Sequence, residues 1–288
     1  MALPEHERNI YLEDIPVEDA RRVLWEALAA LGKAHPLDGE RVPLRDALAR
    51  VTAAPVLARI SSPHYHASAM DGYAVNAADT VSATETRPLT IPFARAHAVN
   101  TGSPLPPDCN AVIMIEHVQE TPDGIVIIAP IAPWQHVRFM GEDMVTTEVV
   151  LPANHTIRPV DLGALAGCGH AGVMVRRKPH VVIIPTGSEL VPADTDPQSG
   201  QLIEYNSLVL GAQIEQSGGR VTVLPIQPDD RAALESAMHD ALTHRPDLLL
   251  ILSGSSAGSK DFTASIVRAN GQLLVHGIAV RPGHPVIM

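Results

Sequence analysis

Three apolar runs in the last third of the chain, HVVIIP (180–185), VTVLPI (221–226) and LLLIL (248–252), most constrain how it can fold. None of them alternates polar with apolar residues, so each strand asks to be buried on both faces. Helical stretches separate them, at 206–217 and from 229 to about 243. Apolar strands alternating with helices predict a parallel α/β sheet covered on both sides. In such sheets ligands bind beyond the carboxyl ends of the strands, and the polar residues gather there. Thr186-Gly187-Ser188-Glu189 follows the first run, Asp229-Asp230 the second, and Ser253 to Asp261 the third. Each piece alone has a plain structural reading; Asp229, for instance, reads as a helix N-cap with Asp230 in the first turn. On one sheet edge they combine into a Gly/Ser loop rich in N–H donors beside three or four carboxylates. That set suits a phosphate or oxyanion and a hard cation such as Mg²⁺ bridging it. Thr186, Glu189, Asp229, Ser255 and Asp261 are therefore expected on one edge.

Upstream the texture differs. Residues 17–35 carry Val17, Ala20, Leu24, Leu28 and Leu31 at helical spacing, with Gly32 as a stop. A short strand, a short helix beginning near Leu44 and another strand follow. From about Ile60 to Asp143, short apolar bursts (LTIPFA, AVIMIE, GIVIIAP) alternate with Pro and Gly, which predicts a small all-β domain. Residues 144–178 add a strand, a helix around 160–167 and the segment AGVMVRRK. The domain reading is 1–59 plus 144–178, an inserted β domain at 60–143, and the α/β domain at 179–288.

Within the β part, HASAMDGYAV (66–75) holds one acid, Asp71, on a small-residue turn. Asp-Gly is a turn signal, so Asp71 is either a corner or an acid presented to a ligand. Thr101-Gly102, ahead of a proline-broken stretch, offers a hydroxyl and N–H groups, and on spacing alone a hairpin loop explains it equally well. In VRFMGEDM, Arg138 precedes Asp143 by five residues around Gly141, which an exposed ion pair would also explain.

The net charge of −11 argues against broad binding to nucleic acid or anionic membranes, while leaving room for a small anionic ligand. Two cysteines, Cys109 and Cys168, form no disulfide framework. The first residues lack a signal-peptide pattern and no apolar run approaches a membrane span; the expected location is the cytoplasm. Of fourteen histidines, His64 and His66 form the best local pair, with no third ligand, and scattered surface histidines are the simpler account.

SAMDGYAV, TGSPLPPDCNAVIMIE, RFMGEDM, PTGSELV, GSSAGSKDFT and RPGHP occur in an order that resembles the MoeA family of molybdopterin molybdenumtransferases, which includes the E domain of gephyrin. The likeness runs through essentially the whole chain. It implies a multidomain fold, α+β and then α/β: an elongated N-terminal part with an inserted β domain, followed by a molybdopterin-binding-like domain. It also implies a homodimer that inserts molybdate into adenylylated molybdopterin and releases AMP with Mg²⁺ as helper, with the molybdopterin adenylyltransferase as a partner. By motif, the catalytic positions are Asp71, Thr101, Arg138, Asp143, Glu189, Asp229 and Asp261. Those binding the cofactor precursor are Thr186, Gly187, Asn206, Ser253, Gly254, Ser255, Ser256, Gly258, Arg281 and Pro282. Glu189, Asp229 and Asp261 are the implied Mg²⁺ ligands, and Asp71 is expected to serve the α/β edge of the partner subunit. The chain departs from the family pattern in RPGHP (281–285), in Gly277 and in Ser255-Ser256. It stops where the family continues the sheet and adds a β-barrel, so residues 1–288 are expected to dimerise yet be inactive alone. Two other classes stay open: a non-catalytic molybdopterin-binding or scaffold module, and, last, the adenylyltransferase, which lacks SAMDGYAV.

Overall fold

The computed structural model describes residues 15–252, 262–280 and 286–288. The chain divides into two compact units, one of residues 39–175 and one of residues 1–38 with 176–288.

In the second of these, the His180–Pro185 strand is central and parallel to both Arg220–Val223 and Leu248–Leu252. Its six residues are all buried, as an uninterrupted apolar run requires. Val182 and Ile184 pack on Leu234, Ala237 and Ala241 of the Arg231–Thr243 helix and Ile266 of the Thr263–Asn270 helix. The Asn206–Gln216 helix packs on the sheet with Gly211 beside Val221, and Val221 pairs in register with Val181. Residue alternation thus puts this helix on the opposite face. The expected doubly covered parallel sheet is what forms. An N-terminal helix, Val17–Ala30, belongs to the same unit; it ends sooner than the 17–35 reading because the chain turns at Gly32 (φ +65°).

Residues 39–175 are mostly short antiparallel strands. Gly72–Val75 lies between His97–Val99 and Ala111–Met114; Gly124–Ile127 lies between Leu89–Ile91 and Gln119–Thr121. Tyr73, Val75, Ile113, Ile125 and Ile127 form one core. A separate core gathers Val56, Leu151, Ile157, Leu165 and Val175 beneath the Pro159–Gly167 helix. The helix expected near Leu44 is a single 3₁₀ turn, Leu44–Asp46, ended by the return of the chain through Ala47 into that core.

At the amino end of the parallel sheet His180 is 3% exposed. Its Nε2 meets Thr222 Oγ1 at 2.9 Å, and its backbone N–H donates to Asp247 at 2.8 Å. Asp247 also takes both arms of Arg177 at 2.6 and 2.7 Å, which lowers its carboxyl to about 2. Burial, reinforced by Arg220, lowers the pKa of His180, against a smaller opposing pull from the His244 backbone and Asp247. An unfolded histidine takes up its proton near pH 6.5 and the folded one at lower pH, so stability is full above about 6.5 and is lost as pH falls below it. The melting-temperature difference between wild type and His180→Gln is therefore expected to shrink as pH drops from about 7 to 5. A difference that stays constant over that range would show that His180 does not titrate differently on folding.

Candidate functional site

Asp71 sits on the turn between the Ala67–Ser68 and Gly72–Val75 strands. Gly72 has φ +154°, and a Cβ there would lie 2.0 Å from the Ile113 carbonyl oxygen, so only glycine lets the strand close on Ala111–Met114. The Asp71 carbonyl accepts from Ile115 N–H at 3.0 Å, which fixes the turn from its other side. With its backbone fixed, the exposed carboxylate receives Thr101 twice on Oδ1: from the backbone N–H at 2.7 Å and from the hydroxyl at 3.1 Å. The structure thus brings together two residues 30 apart in sequence. Thr101 closes a tight turn in which Gly102 N–H returns to Ser68 O at 2.8 Å and Tyr65 Oη donates to Gly102 O at 3.1 Å.

Arg138 lies across the same strand, since Val137–Arg138 pairs with Ala67–Ser68. Its guanidinium faces Asp143 at 3.3 Å and Glu142 at 3.5 Å, and Ser62 Oγ approaches the second Asp143 oxygen at 3.5 Å. All of these side chains are open to solvent, so the exposed ion pair anticipated from spacing is present, and screening keeps its stabilising value small.

In the α/β unit, the carboxyl end of His180–Pro185 turns at Thr186-Gly187-Ser188. Thr186 donates both N–H and hydroxyl to Leu252 O (2.8 and 2.7 Å), and Gly187 N–H goes to Gln227 O (2.9 Å). Ser188 and Asp229 bond reciprocally: Ser188 N–H to Asp229 Oδ2 at 3.2 Å, Asp229 N–H to Ser188 Oγ at 2.9 Å. The N-cap of the Arg231–Thr243 helix is Asp230, whose Oδ1 accepts Ala233 N–H at 2.9 Å, and not Asp229. Asp229 is one residue too early to reach that N–H, and its engagement with Ser188 41 residues away frees it from a capping role. Glu189 flanks the same turn, its Oε1 about 3.1 Å from where a Cβ on Gly187 would stand. Asn206 opens the Asn206–Gln216 helix, where Glu204 holds Ser207 through both N–H and hydroxyl. Beside this turn opens a cavity of about 650 Å³, walled by Pro185, Leu190, Leu224 and Pro225 with Ser188 and Glu204 as polar members.

Thr186, Gly187, Glu189 and Asp229 thus cluster at the strand ends. Ser253, Gly254, Ser255, Ser256, Gly258, Asp261, Arg281 and Pro282 lie outside the described residues. Sequence reasoning left Ser188 out of the site; its signal was a hydroxyl directly after the Thr-Gly turn. The backbone N–H groups of Thr186, Gly187 and Ser188 are all used within the protein, so this turn itself offers an anion no free N–H donors. Among the described residues no three His, Cys, Asp or Glu side chains come together as a metal cluster. Asp229 and Glu189 are oxygen donors beside one turn, which fits Mg²⁺, an ion usually held by one or two carboxylates with substrate phosphates completing its shell.

Each of these side chains bonds the other residue's backbone N–H, so Ser188→Ala and Asp229→Ala each remove one hydrogen bond. Urea unfolding should show each variant destabilised by about 1 kcal/mol. A variant as stable as the wild type would mean that its side chain does not hold the turn.

A family model described as the MoeA N-terminal region (domain I and II) matches residues 15–169, and one described as a "probable molybdopterin binding domain" matches residues 182–288. Molybdopterin molybdenumtransferase 2 of Mycobacterium tuberculosis is 32% identical over 294 residues, covering 93% of this chain and 70% of that protein. The molybdopterin molybdenumtransferase of Haemophilus influenzae is 33% identical over 283 residues, covering 94% and 69%. The crystal structure of a molybdopterin biosynthesis MoeA protein from Pyrococcus horikoshii superimposes with a TM-score of 0.80 at 28% identity, over 96% of this chain and 71% of that one. With both regions matched in order, and with relatives above 30% identity matched over about seven-tenths of their length, the chain belongs to the MoeA family of molybdopterin biosynthesis proteins.

Proposed function

We propose that this chain belongs to an enzyme of the molybdenum-insertion step of molybdenum cofactor biosynthesis, which takes adenylylated molybdopterin and molybdate as substrates and releases AMP. Membership of the MoeA family and the names of its relatives support the reaction class. The observation that carries the residue assignment is a shared geometry: Asp71 and Asp229 are each anchored through one carboxylate oxygen. Asp71 commits Oδ1 to Thr101 and Asp229 commits Oδ2 to Ser188. The second oxygen of each is the atom offered to substrate.

In this reading Thr101 and Ser188 are positioning residues that hold the two acids in one rotamer. The Arg138–Asp143 pair stiffens the loop after the Val137–Arg138 strand and carries the cation nearest the Asp71 turn in sequence pairing. Asp229 and Glu189 would hold Mg²⁺, with Asp261 as the third ligand that the family motif implies; the ion supplies charge neutralisation at the substrate diphosphate. Thr186, Gly187, Asn206, Ser253–Ser256, Gly258, Arg281 and Pro282 would line the binding site for the pterin precursor. The three-domain division (1–59 with 144–178, 60–143, 179–288), assembly as a homodimer, cooperation with a molybdopterin adenylyltransferase, and action in the cytoplasm belong to the same reading. Two buried free thiols, Cys109 and Cys168, are in keeping with a reducing compartment. Among the described residues no helix is long and apolar enough to cross a membrane.

The deciding experiment supplies the protein at full length with adenylylated molybdopterin, with and without molybdate, and follows AMP by chromatography. AMP should appear only when molybdate is present, in step with metal bound to the pterin product. Binding of the adenylate with no AMP released would instead identify a holding module, and AMP formed at the same rate without molybdate would identify a plain hydrolase.

A further inference from the structure

The chain has two Trp, four Tyr and three Phe, and among the described residues Tyr73 alone of these is buried. Aromatic rings are therefore not the main core material here. Three ring side chains gather instead at one exposed place in the 39–175 unit. His66 and Trp134 have ring centroids 5.2 Å apart, His66 and Phe139 5.8 Å, and Trp134 and Phe139 5.6 Å. Their planes are inclined at 50°, 86° and 43°, so the rings touch one another in an open cluster and not a parallel stack, which leaves ring faces toward solvent. Trp134 and Phe139 remain 43% and 45% exposed.

The backbone around the cluster is unusual. Trp134 and His136 have φ of +65° and +59°, a conformation that bulky residues rarely adopt and that concentrates at functional sites. Hydrogen bonds lock both: Trp134 N–H to Asn110 O, and His136 Nδ1 with Val112 O at 2.9 Å. His66 Nδ1 accepts Met140 N–H at 3.1 Å, so the proton of the neutral imidazole is on Nε2. The three rings thus come with two N–H donors, His66 Nε2–H and the Trp134 indole Nε1–H, which pair with a ring nitrogen or carbonyl and give no advantage to a plain hydrocarbon. His66 directly precedes the Ala67–Ser68 strand that leads to Asp71. Asp71 is five positions further on, at most about 17 Å of extended chain.

We infer that His66, Trp134 and Phe139 form a stacking site for a planar heteroaromatic ring, through which the β-rich unit binds one end of its substrate. The inference rests on the transferase reading, which supplies a substrate carrying such rings at the Asp71 turn. The shared chemistry has two sources, the pterin and the adenine, which the test separates.

In a Trp25→Phe background, Trp134 is the sole indole. The protein is titrated with pterin and, separately, with AMP, following Trp134 emission and calorimetric heat. One of the two should quench saturably; Phe139→Ala should weaken that binding roughly ten-fold, and His66→Phe, which keeps a ring and loses its donor, by a smaller factor. Trp134→Gly removes the indole while accepting the left-handed backbone, so it should melt no lower than its parent and show no binding heat. Saturable binding of neither ring, or unchanged affinity in Phe139→Ala, would overturn the inference. So would loss of self-association in Phe139→Ala without ring binding, because the ring cluster would then be covered by a second copy of the chain. Ring binding with no molybdate-dependent AMP release would leave the stacking site standing and remove the transferase reading; AMP release without ring binding would do the reverse.

Discussion

The space denied to a side chain at position 72 governs the β-rich unit. Because the Gly72–Val75 and Ala111–Met114 strands touch where a Cβ would stand, with 2.0 Å to the Ile113 oxygen, the turn before Gly72 has one available path. Ile115 N–H then seals the Asp71 carbonyl. Only a backbone fixed this firmly allows an exposed carboxylate to be held by a neighbour as short as threonine. The Asp71 side chain owes its orientation to packing several residues away, and the small residues around it in SAMDGYAV are what permit the approach.

How fully an acid is engaged separates structural from presented carboxylates. Asp161 is 4% exposed, and both its oxygens are taken, by His155 and by three nitrogens of Arg158, which holds its carboxyl well below the usual range. Asp247 is similar, clasped by Arg177 and the His180 N–H. These acids are fully occupied with holding a helix start and a strand start. Asp71 and Asp229 differ in kind: each is tethered by one oxygen on a turn at the end of a sheet. Removing a tether from such an acid costs about one hydrogen bond in stability, but it frees the carboxylate to rotate, which is the larger loss for binding a substrate.

Much of this was readable from sequence wherever burial dictated composition. The apolar run HVVIIP is the fully buried central strand, LLLIL forms the expected strand beside it but is only partly buried because it flanks the centre of the sheet, and the Pro159–Gly167 helix falls within a residue of its expected place. The capping role moved from Asp229 to Asp230 because two adjacent aspartates differ only in reach. The pairing of Asp71 with Thr101 is invisible to spacing, since it crosses 30 residues and depends on how two hairpins register; motif likeness named both residues without giving their contact. The cluster of His66, Trp134 and Phe139 is non-local in the same way, and no local pattern in PHYHAS or PWQHVRF foretells it.

The account stands on Asp71 being held for chemistry and not for stability, and the isosteric Asp71→Asn variant tests this most directly. Its amide oxygen can still accept from Thr101, so thermal melting should match the wild type to within a few degrees, while molybdate-dependent AMP release should fall at least a hundred-fold. Release at the wild-type rate, or a collapse of melting temperature that accounts for the lost turnover, would show Asp71 to be a corner of the fold and nothing more.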